Sequence, residues 1–524
     1  MNKNFARPVI LILSLLLMVS VFSGCSKAVT PSTAPTTAPT TAAIDISKKV
    51  ELKLFMISDA PLNQDDTDKF YAALNTLMTK DLNATIKITY AAGNDYQNNY
   101  SLALASGDNY DLIYSADWLL YSQYAKKGAF LDLTNLIPTY APDIQKSMTA
   151  DRWEAVKIDG KIMGIPCQAK TYSESSFMYR EDLRIKYNLP VIKDLDTVGA
   201  YLQGIKDNVP DMLPSDDYQA QVFNCMFIPS TKYQIVDVAG DNQSNFVIDP
   251  ANPRVLLETI ETPEFKAMLP RMKQWADAGY WSQSALSSLE WGEFSVLNGK
   301  AASTFNGQFP NDTNQVPQLE KDHPGWKIGF FEWNRLNPLS VVTGQGPTSN
   351  MLSVTHNAPN PERAVMLVNL LQTNKDYYML TQYGLPGINY TLTADNQISY
   401  ASIDLSKHLG GAFFPSSATA NDVLNLKKAD AWPTYYDRVA QDVALTKPSV
   451  LAGFVLDTQP IQTQYTAINN VKTQYGNPLM IGLVPDVEAA FTAFVQQSKD
   501  AGIDACKTEI QKQLNAFLDS KGVK

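Results

Sequence analysis

The groups with which this chain could do covalent chemistry are few in kind. Its three histidines, His323, His356 and His408, lie far apart in sequence and lack the spacing of metal ligands. Of its four cysteines, Cys167, Cys225 and Cys506 form no C-x-x-C pair and, being three, cannot all pair among themselves. No G-x-S-x-G, H-E-x-x-H or G-K-[ST] signature occurs. The acidic group Asp65, Asp66 and Asp68 lacks the glycine and terminal glutamate of a calcium loop, and an acidic first helical turn explains it better. No metal, cofactor or catalytic residue is therefore expected. The 53 acids still allow two carboxyl groups to face one glycosidic bond, so glycoside hydrolysis is the enzyme chemistry left open. The other resource is aromatic: 8 Trp, 25 Tyr and 21 Phe, most of them destined for core or surface, so position must single out the useful ones.

The elements that would position such groups alternate. Val50–Ile57 fits a strand, and 64–82 a helix with Phe70, Tyr71, Leu74, Leu77 and Met78 on one face. Residues 84–90 fit a second strand, 95–106 a second helix broken at Gly107-Asp108, 111–115 a third strand and 117–127 a third helix ending at Gly128. Three strand–helix alternations predict an α/β fold with a parallel sheet, in which ligands bind beyond the carboxyl ends of the strands. That rule selects Ser58-Asp59 and Asp117-Trp118. Further on, Asn360 is placed to cap a helix starting at Pro361, with Ala364, Val365, Val368 and Leu371 on one face. Asp504 is placed to cap a last helix whose Cys506, Ile510, Leu514 and Phe517 share a face, making Cys506 a core thiol.

The amino terminus carries Lys3 and Arg7, then an apolar run from Val9 to Phe22 broken only by Ser14 and Ser20. The run is short for a spanning helix and suits a signal peptide over residues 1–24. Phe22-Ser23-Gly24-Cys25 resembles a bacterial lipobox, with Phe22 where leucine is usual, so Cys25 is the expected lipidation site. Ala28 to Ala43 is Ala, Val, Thr, Pro and Ser only, a composition that buries too little to fold. Residues 25–48 read as a tether, stiffened by Pro31, Pro35 and Pro39. Lys plus Arg total 43 against 53 for Asp plus Glu, and the formal charge of −10 argues against a nucleic-acid partner. At 524 residues the chain is long enough for more than one core, and four cysteines are too few for a disulfide framework.

Several short segments carry a family resemblance. Ala105-Ser106-Gly107-Asp108-Asn109-Tyr110-Asp111-Leu112 resembles the S-G-D-x-x-D-[VL] turn and strand of family 1 extracellular solute-binding proteins. Gly128-Ala129-Phe130-Leu131-Asp132-Leu133-Thr134 and Asp159-Gly160-Lys161-Ile162-Met163-Gly164-Ile165-Pro166 are similar to the family in the same way. So are Met178-Tyr179-Arg180-Glu181-Asp182-Leu183, Asn298-Gly299-Lys300-Ala301-Ala302 and Asn360-Pro361-Glu362-Arg363-Ala364. The segment from Gly453-Phe454 to Phe517 is similar to the LipO-like lipoprotein subgroup. The order and spacing of these motifs, from about residue 50 onward, make the resemblance specific.

The resemblance implies two α/β lobes of the type II periplasmic-binding-protein kind, hinged by crossing strands, with a solute held between them and passed to the permease subunits of an ABC importer. It places lobe 1 at 49–166 plus 346–383 and lobe 2 at 167–345 plus 384–524. The crossings would lie near Pro166–Tyr172, Thr343–Asn350 and after Gly384. A monomer anchored to the membrane through its lipid is implied as well. For a neutral sugar, planar donors and acceptors must meet the hydroxyls while aromatic rings pack on the apolar ring faces. Asn306-Gly307-Gln308-Phe309 resembles the family's N-G-x-W site segment, with Phe309 in place of the stacking Trp. The expected ligand-binding residues are Asp59, Asp117, Trp118, Tyr172, Glu174, Trp291, Asn306, Phe309, Trp333 and Asn350. For Trp291 and Trp333 a core role competes, and for Asp59 a turn or capping role. Two alternatives stand beside the sugar-binding expectation: a peptide or other small solute in the same fold, and a tethered glycoside hydrolase.

Overall fold

The computed structural model describes residues 45–523 apart from 59, 62, 92–95, 170–173, 218–220, 237–244, 288–291, 310–312, 314–315, 341–345, 406, 409–412 and 448. Cys25 and the tether up to residue 44 lie outside them.

The first lobe is built on the strand Val50–Ile57, whose Leu52, Leu54, Phe55 and Met56 are buried. It pairs in parallel over its whole length with Ala84–Ala91 and, on its other side, with Leu112–Ser115. Parallel neighbours need a crossover. The helix Gln64–Leu82 supplies the first: Asn63 caps it by accepting from Asp66 N at 3.2 Å, and Phe70, Leu74, Met78 and Leu82 recur every fourth residue on the buried side. Two further strands complete a five-stranded sheet, Met351–Val354 antiparallel to Leu112–Ser115 and Ile165–Pro166 antiparallel to Met351–Val354. The sheet is thus mixed rather than all parallel, because the chain leaves and re-enters this lobe at its last two strands.

The second lobe has Glu174–Arg180 at the centre of an antiparallel three-stranded sheet, between Ser303–Phe309 and Ile328–Glu332. A second small sheet sets Phe246–Asp249 between Asn252–Glu258 and Gln234–Ile235. The main core of this lobe gathers Phe177, Tyr201, Phe223, Phe227, Trp275, Phe305 and Trp333 with the last helix, Ile503–Ser520. Cys506 is buried there, and burial pushes its thiol up to about 11. Gly502, not Asp504, occupies the cap of that helix; it sits at φ +93, where a side chain would be strained.

Three local expectations are revised. The predicted helix 117–127 is a single tight turn, Asp117–Leu119, followed by a helix Tyr121–Lys126, because Leu120 takes a left-handed conformation (φ 60) between them. Asn360 does not cap the helix Pro361–Thr373 with its side chain; its backbone and amide nitrogens donate to Asp111 Oδ1 at 2.8 and 3.2 Å instead. The first core also extends beyond residue 383. Phe413, Phe414 and Ala418 belong to it, and Phe413 stacks on Phe70 at 4.7 Å. The chain still contacts the first lobe at Leu426, whose N–H donates to the Tyr383 hydroxyl at 3.0 Å, and it bonds to the second lobe's sheet at Trp432, whose Nε1 donates to Ile328 O at 3.3 Å. These contacts fit a late crossing between Leu426 and Trp432.

Among the described residues no helix is long and apolar enough to cross a membrane, and no group of His, Cys, Asp and Glu is arranged to hold a metal ion.

Candidate functional site

On the first lobe the carboxyl end of Leu112–Ser115 leads into Asp117 and Trp118. The Asp117 carboxylate accepts from Trp118 N at 2.7 Å through one oxygen and from the Thr348 hydroxyl at 3.1 Å through the other. Its own N–H donates to Thr348 O at 2.9 Å. Burial pushes the Asp117 carboxyl above its ordinary range, and the donors around it counter only part of that. Asp117 therefore braces the turn that presents its neighbour. The half-buried Trp118 indole donates from Nε1 to Ser349 O at 2.9 Å and lies 6.1 Å from the Tyr114 ring. Tyr114, 3% exposed, donates its hydroxyl to Asn350 Oδ1 at 2.5 Å. Asp117 and Trp118 thus share one edge with Asn350, which is distant in sequence, and Tyr114 at the same edge is a residue that motif reading missed.

The chain passes from this edge to the second lobe under restraint. Arg152 donates to Cys167 O at 2.6 Å and to Ala169 O at 2.5 Å, while Cys167 N donates to Asn350 O at 3.3 Å. Ala169 and Glu174 are five residues apart, so their separation cannot exceed roughly 18 Å.

On the second lobe Asn306 sits within a bulge in Ser303–Phe309. Its Oδ1 accepts from Cys225 Sγ at 2.9 Å and from Gln308 Nε2 at 3.3 Å. Behind it, Asp217 accepts from the Thr304 hydroxyl at 2.6 Å, Phe305 N at 2.9 Å, Asn306 N at 3.2 Å and the Ser215 hydroxyl at 3.0 Å. Complete burial nevertheless pushes its carboxyl up to about 7. Asp217 fixes the bulge that holds the buried Asn306, with Ser175 and the half-buried Cys225 thiol alongside. Asp217, Cys225 and Gln308 were not singled out from the sequence; only the Asn306-to-Phe309 motif pointed to this region.

Two expected ligand contacts are corrected. Phe309 is fully buried, packed between Phe330 (5.8 Å) and Trp432 (6.1 Å) with the Arg438 guanidinium 4.3 Å over its ring. The bulge between Thr304 and Gly307 shifts the pairing register by one residue, which turns Phe309 to the face opposite Phe305. Trp333 is also fully buried; its indole donates to Phe305 O at 2.9 Å and stacks on the Phe305 ring at 5.3 Å. Both are core residues. Glu174 opens the central strand, paired through its backbone with Phe309. Asp59, Tyr172 and Trp291 lie outside the described residues.

Farther out along the first lobe's sheet, Tyr71, Tyr90, Gln64, Thr67 and Asn75 line a cavity of about 370 Å³ between the helix Gln64–Leu82 and the edge strand Ala84–Ala91. The Tyr71 and Tyr90 hydroxyls are 2.7 Å apart, and Tyr90 donates onward to Phe413 O at 3.1 Å. Rings, phenols and amides in one recess are chemistry suited to a polyol.

A carbohydrate ABC transporter substrate-binding protein of Streptococcus pneumoniae serotype 4 (strain ATCC BAA-334 / TIGR4) is 24% identical over 493 residues, covering 91% of this chain and 93% of that protein. The fold matches the crystal structure of the N-glycan transport solute binding protein NgtS from Streptococcus pneumoniae in complex with Man1GlcNAc, with a TM-score of 0.71 at 23% identity over 90% of this chain and 100% of that one. It also matches the alginate-binding protein AlgQ2 without calcium ion, with a TM-score of 0.64 at 18% identity over 90% and 99% of the two chains. Residues 450–519, which include most of the last helix, match a domain of unknown function. The family model for bacterial extracellular solute-binding proteins matches residues 72–402, well over half of the sequence, and the chain belongs to that family.

Proposed function

We propose that this protein captures an oligosaccharide outside the cytoplasmic membrane by closing its two lobes over it, and delivers it to the permease subunits of an ABC importer. The observation that supports the reading is that one lobe carries an aromatic edge and the other a cluster of amides. Trp118, Tyr114 and Asn350 offer a ring platform and a planar amide on one lobe; Asn306 and Gln308 offer amides on the other. The names of two relatives, a carbohydrate substrate-binding protein and an N-glycan transport protein, point the same way. The outlying cavity beside Tyr71 and Tyr90 favours a chain of sugar units over a single one.

In this reading Trp118, Asn350, Asn306 and Gln308 touch the ligand, Asp117 and Asp217 hold them in place, and Asp59, Tyr172, Glu174 and Trp291 remain candidates from the sequence alone. Binding is its whole task, with no catalysis. Ligand shifts the open–closed equilibrium in proportion to its preference for the closed form. A thermal-shift screen of sugars against peptides tests the ligand class, because a ligand of the folded state alone raises the melting point. Small-angle scattering with the best sugar should show compaction; a peptide hit with no sugar response, or no compaction with bound sugar, overturns the reading.

Residues 1–24 act as a signal peptide, lipidated Cys25 anchors the monomer at the outer face of the membrane, and residues 25–48 tether it there. Fatty-acid labelling should mark the wild type and not Cys25→Ala; equal labelling removes Cys25 as the anchor.

A further inference from the structure

The second lobe holds a carboxyl group that the interactions above leave unexplained. Glu293 lies in the first turn of the short helix Gly292–Leu297, and that turn is pressed directly onto the strand carrying Asn306. A Cβ at Gly292 would collide with Thr304 Oγ1 and would come within 2.5 Å of Asp216 O, so position 292 admits only glycine and Glu293 is held close to the strand. Its charge is felt by the Cys225 thiol, the same thiol that donates to Asn306. Glu293 Oε2 is buried and has no hydrogen-bond partner among the described residues.

A buried carboxylate oxygen without a donor is costly, and proteins rarely keep one without a use for it. We propose that Glu293 is a specificity-determining ligand contact, its Oε2 accepting a hydrogen bond from a hydroxyl of the bound glycan and its charge selecting neutral sugars over uronates. The inference rests on the sugar-binding reading and narrows it. Burial raises the Glu293 carboxyl above its ordinary range, and a ligand hydroxyl donating to it would offset that. A ligand carboxylate would do the reverse: it brings no donor to Oε2, and it sets a second negative charge beside the Glu293 carboxylate. Mannose and mannuronate residues differ at C6 alone, a hydroxymethyl against a carboxylate, and so form a clean pair of probes.

The test is calorimetric titration of the full chain with a manno-oligosaccharide and with an oligomannuronate of equal length, for the wild type, Glu293→Gln and Glu293→Ala. The wild type should favour the neutral sugar by about tenfold or more, the scale of one hydrogen bond to a charged group. Glu293→Ala should lower neutral-sugar affinity about tenfold, and Glu293→Gln should keep much of that affinity while losing most of the discrimination. The ligand-free melting points of both variants should match or exceed the wild type, since each removes an unpaired buried charge. Equal wild-type affinity for the two sugars, full affinity in Glu293→Ala, or lowered ligand-free melting points in both variants overturns the role of Glu293 alone. Binding of neither sugar by a folded wild type takes down the sugar-binding reading itself.

Discussion

Trp118 donates its indole N–H to the backbone carbonyl of Ser349, 231 residues later, at 2.9 Å. That bond fixes a half-buried tryptophan placed at the carboxyl end of a first-lobe strand, and it ties the ring to the segment that re-enters this lobe. Trp118→Ala removes ring and bond together, and sugar affinity should fall by tenfold or more, from roughly 1.5–3 kcal/mol of lost contact. Trp118→Phe keeps a ring and loses the donor, so the loss should be about fivefold, the worth of a hydrogen bond of ~1 kcal/mol. Titration calorimetry distinguishes the two; unchanged affinity in Trp118→Ala removes the platform from the site.

The Asp217 carboxyl predicts a pH dependence with a definite sign. Its value is raised from 3.8 to about 7 by burial, so between these values the folded chain keeps a proton that the unfolded chain releases. Its contribution to stability is therefore greatest below pH 3.8, falls as pH rises, and is lost once pH passes about 7. Asp217→Asn keeps an acceptor for the Thr304, Phe305 and Asn306 donors but cannot titrate. Its melting point should change less than the wild type's between about pH 4 and about pH 7. Parallel pH profiles would show that this carboxyl keeps an ordinary pKa.

These two sites show what local sequence can carry. The strand Val50–Ile57 and the helix Gln64–Leu82 of the first lobe were legible because apolar spacing is a local property; Phe70, Leu74 and Met78 sit on the buried side of their helix as their spacing required. The carboxyl-end rule likewise led to Trp118. What brings Asn350 to Tyr114 is a pairing between strands formed by distant segments, and no local pattern contains it. Phe309 differs for another reason: its expectation rested on resemblance to a family site segment, whereas its burial, on the face opposite Phe305 after one extra residue in the strand, is set by packing that the motif does not contain. The packing of Phe413 and Phe414 in the first core was not legible because they follow a stretch without strong periodicity, and the Phe70 stack shows where they belong.

The core role of Phe309 has its own test. Glu332, with its side chain 1% exposed, accepts from Arg335 Nε at 3.0 Å and is paired with Arg438, while Arg335 also reaches Asp442 Oδ1 at 2.8 Å. Burial alone would raise Glu332, but the two guanidinium groups hold it below its ordinary range. Arg438→Met removes one of these cations from a buried carboxylate and should destabilise the protein by roughly 3 kcal/mol in denaturant unfolding. Sugar affinity of the folded variant should stay within about twofold, because neither Arg438 nor the Phe309 ring beneath it meets the ligand. A large affinity loss with unchanged stability would return Phe309 to the binding site.

The crossing that leaves the first lobe is held by its backbone carbonyls. Gln372 donates to Pro166 O at 3.0 Å, Arg152 donates to Cys167 O and Ala169 O, and the N–H groups of Gln168 and Ala169 both point to Ala420 O at 2.7 and 3.0 Å. With so many bonds to one lobe, Pro166 to Ala169 must move with it, and any pivot lies beyond Ala169. Arg152→Ala deletes two charge-assisted bonds and leaves the apolar core of the lobe intact, so amide exchange at residues 167–169 should quicken by about tenfold or more. Exchange in the strand Val50–Ile57 should not change. Because a loosened crossing must be re-ordered when the lobes close, sugar affinity should fall about threefold, below the loss from Trp118→Ala. Exchange mass spectrometry with and without sugar measures both effects. If protection at 167–169 survives in Arg152→Ala, the guanidinium is not what fastens the crossing to the first lobe.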